Sequence, residues 1–166
     1  MPADRVPAAR PPLVVIGGPT ATGKTALGIE LALAVAASGR PAEVISADSR
    51  QVYRGMDVGT AKPTLAERRG VPHHGLDLVD PDAPFSVAGF VAHVEGVLAD
   101  LAAHGGVALL VGGTGFWIRA VTGGLATDGL PWDPAVRAAL DADLARDGLP
   151  ALASRLRELA PRLAAS

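Results

Sequence analysis

The stretch that decides the fold is "VVIGGPTATGKTALGIEL", residues 14–31. A short apolar run enters a glycine-rich turn, and a Lys-Thr pair opens a segment of helical spacing. Residues 13–17, "LVVIG", have the continuous apolar character of a strand buried on both faces. Gly18, Gly23, Lys24 and Thr25 then fit the pattern G-x-x-x-x-G-K-[ST], with Pro19, Thr20, Ala21 and Thr22 as its variable positions. Glycines let the backbone aim successive N–H groups inward as an anion nest. The helix that follows adds its N-terminal dipole. Lys24 is placed to neutralise phosphate oxygens, and Thr25 to offer a hydroxyl to Mg²⁺. A chance match in a glycine-rich chain is the competing explanation; the strand before and the helix after count against it.

Further along, residues 24–37 read as a helix stopped by Gly39 and Pro41. "EVISA" (43–47) is a second buried strand, residues 48–63 a long polar loop, and "GLDLV" (75–79) a third, weaker strand. Ser86 is an N-cap for a helix whose apolar positions run from Val87 to Leu101. "VALLV" (107–111) is the fourth strand, followed by "GGTG" and a short helix to about residue 122. Strands alternating with helices imply a parallel α/β sheet. After Gly124 the pattern turns helical: Val136, Leu140 and Leu144 share a face up to Gly148, and Leu152, Leu156 and Leu159 mark another helix before Pro161. The expected organisation is a disordered lead-in (1–12), a phosphate-loop α/β core (13–124) and the start of a small helical insertion (125–166). No fifth strand returns to the sheet, so the sheet is expected to be incomplete and the chain a fragment.

Enzymes that hydrolyse nucleotides on such a loop place an acidic residue at the end of an apolar strand to hold Mg²⁺. "VALLV" ends in "GGTG", with no carboxylate. The carboxylate at a strand's end is Asp48, after "EVISA". In open α/β sheets the carboxyl ends of strands face the ligand crevice, so Asp48 is expected beside the phosphate loop as a base or near the metal. A turn-capping aspartate is the plainer alternative.

Composition sets bounds on the rest. The 166 residues suit one ordinary domain, and a net charge of −2 gives no bulk attraction to nucleic acid or anionic membrane. There is no cysteine, hence no disulfide or thiolate metal site. No apolar run approaches the roughly 18 residues of a membrane span, and the Pro/Ala-rich start lacks a signal-peptide core. A cytoplasmic monomer is expected. The chain carries two lysines, Lys24 and Lys62, against 13 arginines. One lies in the phosphate loop, and the other singles out "GTAKP" as a loop to follow.

Several segments together resemble one family. "GPTATGKT", "ISADSRQVYRGMDVGTAKP", "PHHGLDLVDP", "FSVAGF" and "LLVGGTGFWIRAVTGGL" are similar, in order and spacing, to the N-terminal half of the tRNA dimethylallyltransferase (tRNA isopentenyltransferase) family. The resemblance implies a P-loop NTPase-like sheet and transfer of a dimethylallyl group from dimethylallyl diphosphate to N6 of an adenine beside the anticodon. The phosphates in the loop would then be a leaving diphosphate, held with Mg²⁺, and no water need be activated. By the same resemblance Asp48 is the catalytic base, Ser49, Arg50, Gln51, Thr114 and Arg137 contact the tRNA anticodon stem-loop, and Lys24 and Mg²⁺ stabilise charge on the leaving group. Helix capping for Thr114 and a solvated charge for Arg137 are the bland alternatives. The family's further sheet portion and C-terminal helices do not match anything here, so impaired tRNA binding is expected. Two other function classes stay open: a small-molecule kinase with ATP in the loop, and a non-catalytic remnant. Adjacent His73 and His74 lack the partners of a metal site. Phe116 and Trp117 read as core residues, with base stacking the alternative for these and for Tyr53.

Overall fold

The computed structural model describes residues 10–123 and 133–164. The chain divides into two compact units, Met1–Asp128 and Gly129–Ser166. The first holds β1 (Leu13–Gly17), α1 (Lys24–Ala37), β2 (Ala42–Ser46), α2 (Leu65–Arg68), β3 (His73–His74), α3 (Val87–Ala103), β4 (Val107–Gly112) and α4 (Gly115–Val121). The second holds α5 (Pro134–Leu159) and α6 (Pro161–Ala164). The expected boundary near residue 124 and residues 1–9 of the lead-in lie outside the described residues. At the end of that lead-in, Arg10 pairs with Glu95 at 2.5 Å, and the Pro12 carbonyl accepts a hydrogen bond from Ala108 N–H.

The four strands form one parallel sheet in the order β1-β4-β2-β3. β4 is central and buried at every position, with Leu13–Gly17 in register with Ala108–Gly112 on one side and Ala42–Ser46 with Val107–Val111 on the other. Alternate side chains of a strand leave by opposite faces. Ile45, Ala108 and Leu110 accordingly meet Phe90, Val94, Leu98 and Trp117 of α3 and α4, while Val44, Leu109 and Val111 meet Ile29 and Ala32 of α1. Ser86 caps α3 as its sequence suggests, accepting from Gly89 N–H. Helices thus cover both faces of a parallel sheet, as the apolar runs imply.

Three expectations change. The strand placed at 75–79 is instead His73–His74, paired with Val44 and Ile45; residue 79 makes only an isolated bridge to Tyr53. Gly75 adopts φ 77° and Asp77 φ 55°, turning the chain where the strand was expected. β1 is not buried on both faces: it is an edge strand among the described residues, and Val14 and Val15 are 39% and 42% exposed. Its apolar run records the demand for cover but cannot name which strand supplies it. Finally, Trp117 is core, stacked on Phe90 with ring centroids 4.3 Å apart, but Phe116 is exposed. Neighbours on a helix point about 100° apart, so both cannot face the sheet.

In the second unit, Asp133 caps α5 through the N–H groups of Ala135 and Val136, with Pro134 at the first position. Gly148 breaks the helical backbone (φ 78°, ψ 169°), where the sequence places the stop.

Candidate active site

The phosphate loop follows β1 directly. Gly23 sits in the left-handed region (φ 79°, ψ 11°) at the N-cap of α1 and offers no side chain to cap the helix. No acidic residue stands in the first turn. The first amides of α1 therefore keep their positive character for an incoming anion. Thr22 Oγ1 donates to the Pro19 carbonyl at 2.9 Å, and Lys24 Nζ folds back onto that same carbonyl.

Asp48 lies just past β2. Its Oδ1 accepts the Arg50 N–H at 2.8 Å, forming an Asx turn. The capping alternative is thus realised, and the carboxylate still faces a ligand space. Residues 20–25 of the phosphate loop, Asp48 and Gln51 line one open cleft of about 440 Å³, closed on its far wall by Thr60, Ala61, Pro63, Glu67 and Arg69. Both carboxyl ends of the strands flanking β4 feed this cleft, as the sheet topology requires.

The tie between those ends is the "GGTG" turn. A side chain at Gly112 would place its Cβ 2.2 Å from the Ala47 carbonyl oxygen, so only glycine lets β4 end this close to β2. Ala47 carbonyl then accepts from Thr114 N–H at 3.2 Å, and Thr114 Oγ1 accepts from Ser49 N–H at 3.1 Å. Thr114 does stand at the N-cap of α4, but its hydroxyl braces the Asp48 turn and makes no cap bond.

Gln51 is buried. Its Oε1 accepts from Ser46 Oγ at 2.7 Å and its Nε2 donates to the carbonyls of Thr60 and Ala61, fastening the far wall of the cleft to β2. Arg50 is exposed. Arg137, in the other unit, pairs with Asp141 one helical turn on, at 3.3 Å.

Lys62 explains its own loop. Its side chain is 2% exposed and its Nζ bonds Asp57 at 2.7 Å, Asp77 at 2.6 Å and the Tyr53 carbonyl at 2.9 Å. Burial pulls its pKa down, but the hydrogen bonds and charges of the two aspartates outweigh burial and the net shift is upward. Sequence reasoning missed the far wall. Its signal was there: Thr64 and Glu67 form a capping box at the start of α2, which the T-x-x-E spacing encodes. Arg69, left-handed at φ 52°, ends that helix and pairs with Glu30 of α1.

A family model described as IPP transferase matches residues 51–166, and one described as isopentenyl transferase matches residues 11–76. The chain is 55% identical over 149 residues to the tRNA dimethylallyltransferase of Burkholderia thailandensis, covering 89% of this chain and 44% of that protein. It is 48% identical over 153 residues to the one from Anaeromyxobacter dehalogenans, covering 92% and 49%. Among solved structures, the tRNA isopentenylpyrophosphate transferase of Bacillus halodurans is similar with TM-score 0.66 and 42% identity, over 93% of this chain and 49% of that one. A eukaryotic dimethylallyltransferase acting on tRNA is similar with TM-score 0.77 and 28% identity, over 93% and 37%. The chain spans about half the length of the curated relatives it matches. With a matching model over most of its residues, the phosphate loop and the Asp48 turn at one sheet end, the chain belongs to the IPP transferase family.

Proposed function

We propose that this chain transfers a dimethylallyl group from dimethylallyl diphosphate to N6 of the adenine adjacent to the anticodon in tRNA. The observation that carries the reading is the single cleft lined by both the phosphate loop and Asp48. A leaving diphosphate presents the charge and oxygens that the loop amides and Lys24 fit. The N6 lone pair attacks the allylic carbon, the carbon–oxygen bond breaks, and the electron pair departs with diphosphate. The N6 proton passes to the Asp48 carboxylate. Loop amides and Lys24 stabilise charge growing on the leaving oxygens. The target adenine leaves its stack to enter the cleft.

The Thr25 hydroxyl, an oxygen donor facing the cleft, suits magnesium, which is bound through few protein groups plus substrate phosphates. Among the described residues no group of three or more His, Asp or Glu side chains forms a dedicated cage. Bound with the diphosphate, the ion would draw off negative charge from it. Ser49, Arg50, Gln51 and Thr114 would shape the RNA side of the cleft, with Arg137 a further contact. No described helix is long and apolar enough to cross a membrane; a monomer acting in the cytoplasm is the working picture.

The test is transfer of labelled dimethylallyl to an anticodon stem-loop by this chain and by Asp48→Asn. The variant should lose about 10²–10⁴-fold in rate while still binding magnesium pyrophosphate. Equal rates would remove Asp48 from the chemistry. Turnover of ATP with a small acceptor, and none with the prenyl donor, would favour a kinase.

A further inference from the structure

Off the main cleft, and sharing Thr25, Ser46, Gln51, Pro63 and Val111 with it, lies a partly open recess of about 10 Å³. That is the room one water molecule needs. Its polar walls are Thr25, Ser46, Gln51 and His73, with Val44, Val111 and Pro63 as its apolar sides.

His73 makes this cavity unusual. Its Nδ1 lies 2.8 Å from the Val71 carbonyl oxygen, which can only accept, so Nδ1 carries the proton. In the neutral ring Nε2 is then a lone pair. That atom is buried and has no hydrogen-bond partner among the described residues. Buried acceptors in folded proteins are matched by a donor, from the protein or from ordered water. Ser46 Oγ gives its proton to Gln51 Oε1, so it meets the cavity as an acceptor too. Gln51 Nε2 is engaged by the carbonyls of Thr60 and Ala61. Two acceptors therefore face one water-sized space, and among the side chains lining it the one left with a proton to turn into it is the Thr25 hydroxyl. A hydroxyl that offers its lone pair to a cation must send its proton elsewhere. In this fold β4 ends in glycines, with no carboxylate to take it.

We infer that an ordered water fills this cavity, donating to His73 Nε2 and Ser46 Oγ and accepting from the Thr25 hydroxyl, so that His73 is a positioning residue for the phosphate loop. The water aims the free lone pair of Thr25 into the main cleft. The positioning part rests on the proposed diphosphate reading; the water itself does not.

Two experiments decide it. The first is a crystal structure of this chain at a resolution that shows solvent. Density within hydrogen-bonding distance of His73 Nε2, Ser46 Oγ and Thr25 Oγ1 is expected. A direct protein donor on Nε2, or a cavity closed by apolar atoms, would overturn the inference. The second is calorimetric titration with magnesium plus inorganic pyrophosphate. His73→Phe keeps the ring shape and removes the acceptor, and should weaken binding about tenfold, as loss of a supporting partner does at metal sites. His73→Gln restores an acceptor and should bind close to the parent. Equal effects of the two, or none, would remove the positioning role. A parent chain that binds no pyrophosphate would end the diphosphate reading instead, with the solvent structure still deciding the water.

Discussion

The chain's two lysines mark two loops built on opposite plans. The loop around Lys24 is shaped by backbone. A left-handed glycine leads into an uncapped helix, and the lysine bonds only a carbonyl of its own loop. The loop around Lys62 is held by buried side chains. Lys62 gathers Asp57, Asp77 and the Tyr53 carbonyl, and Gln51 ties Ser46 to Thr60 and Ala61. The first keeps its donors for a ligand. The second turns Lys62 and Gln51 inward, and at its start Asp48 lines the cleft. On the function proposed here, gripping an anion asks for amides in the right curve, and presenting a base on a long loop asks for a scaffold that cannot drift.

Exchanging the lysines one at a time should separate the two plans most widely. On the proposed function, Lys24→Met should lower dimethylallyl transfer by about 10²–10³-fold, the cost of removing a donor to a developing oxyanion. Its urea unfolding midpoint should stay with the parent. Lys62→Met should do the reverse, keeping pyrophosphate binding and losing stability. Asp57 and Asp77 are 64% and 43% exposed at their side chains, so solvent shares the burden of their lost partner. The loss should be about 1–3 kcal/mol rather than that of a fully buried pair. Two variants with the same profile would dissolve the contrast.

A finer break targets the brace between the loop after β2 and the turn after β4. Thr114→Val keeps the shape and removes the acceptor for Ser49 N–H. Stability should fall by about 1 kcal/mol. The turnover rate should fall further than that loss of folded chain explains, with KM for dimethylallyl diphosphate unchanged, because the Asp48 turn loosens while the phosphate loop does not. A raised KM and intact turnover would place Thr114 with the first loop instead.

How far the sequence foretold this contrast follows the same division. Backbone-shaped features announce themselves locally: G-x-x-x-x-G-K-T gave the loop, "EVISA" before Asp48 gave the second strand end, and Ser86 gave the cap of α3. Side-chain scaffolds are long-range and have no local signature. That Gln51 is buried, with Ser46 on one side and Thr60 on the other, cannot be read from "DSRQ". Nor can one read that Thr114 reaches Ser49 across 65 positions. The strand misplaced at 75–79 failed for a related reason. "GLDLV" alternates as a strand should, but its Leu78 and Val79 amides bond the Val52 carbonyl as loop support, and Asp77 turns out to meet Lys62.

That support includes a titrating group, which gives the smallest and most selective test. Gly75 N–H donates to His93 Nε2 at 3.2 Å, so the ring must be neutral with its proton on Nδ1. Burial first, and the charge of His74 second, hold its pKa below the ordinary 6.5. The His74 ring lies 6.4 Å away and is itself bonded to Glu43 at 2.6 Å. The unfolded chain takes up a proton on this histidine near 6.5, the folded chain only at lower pH. Stability is thus complete above 6.5 and declines as pH falls below it, until the folded ring titrates as well. His73 shifts the same way, burial again leading, so His93→Gln should make the decline shallower without abolishing it. Acid should also act unevenly. Hydrogen exchange below pH 6.5 should deprotect the amides of residues 77–79, which bond Gln51 and Val52, before those of α1. Simultaneous loss at both would mean that the two loops stand or fall as one.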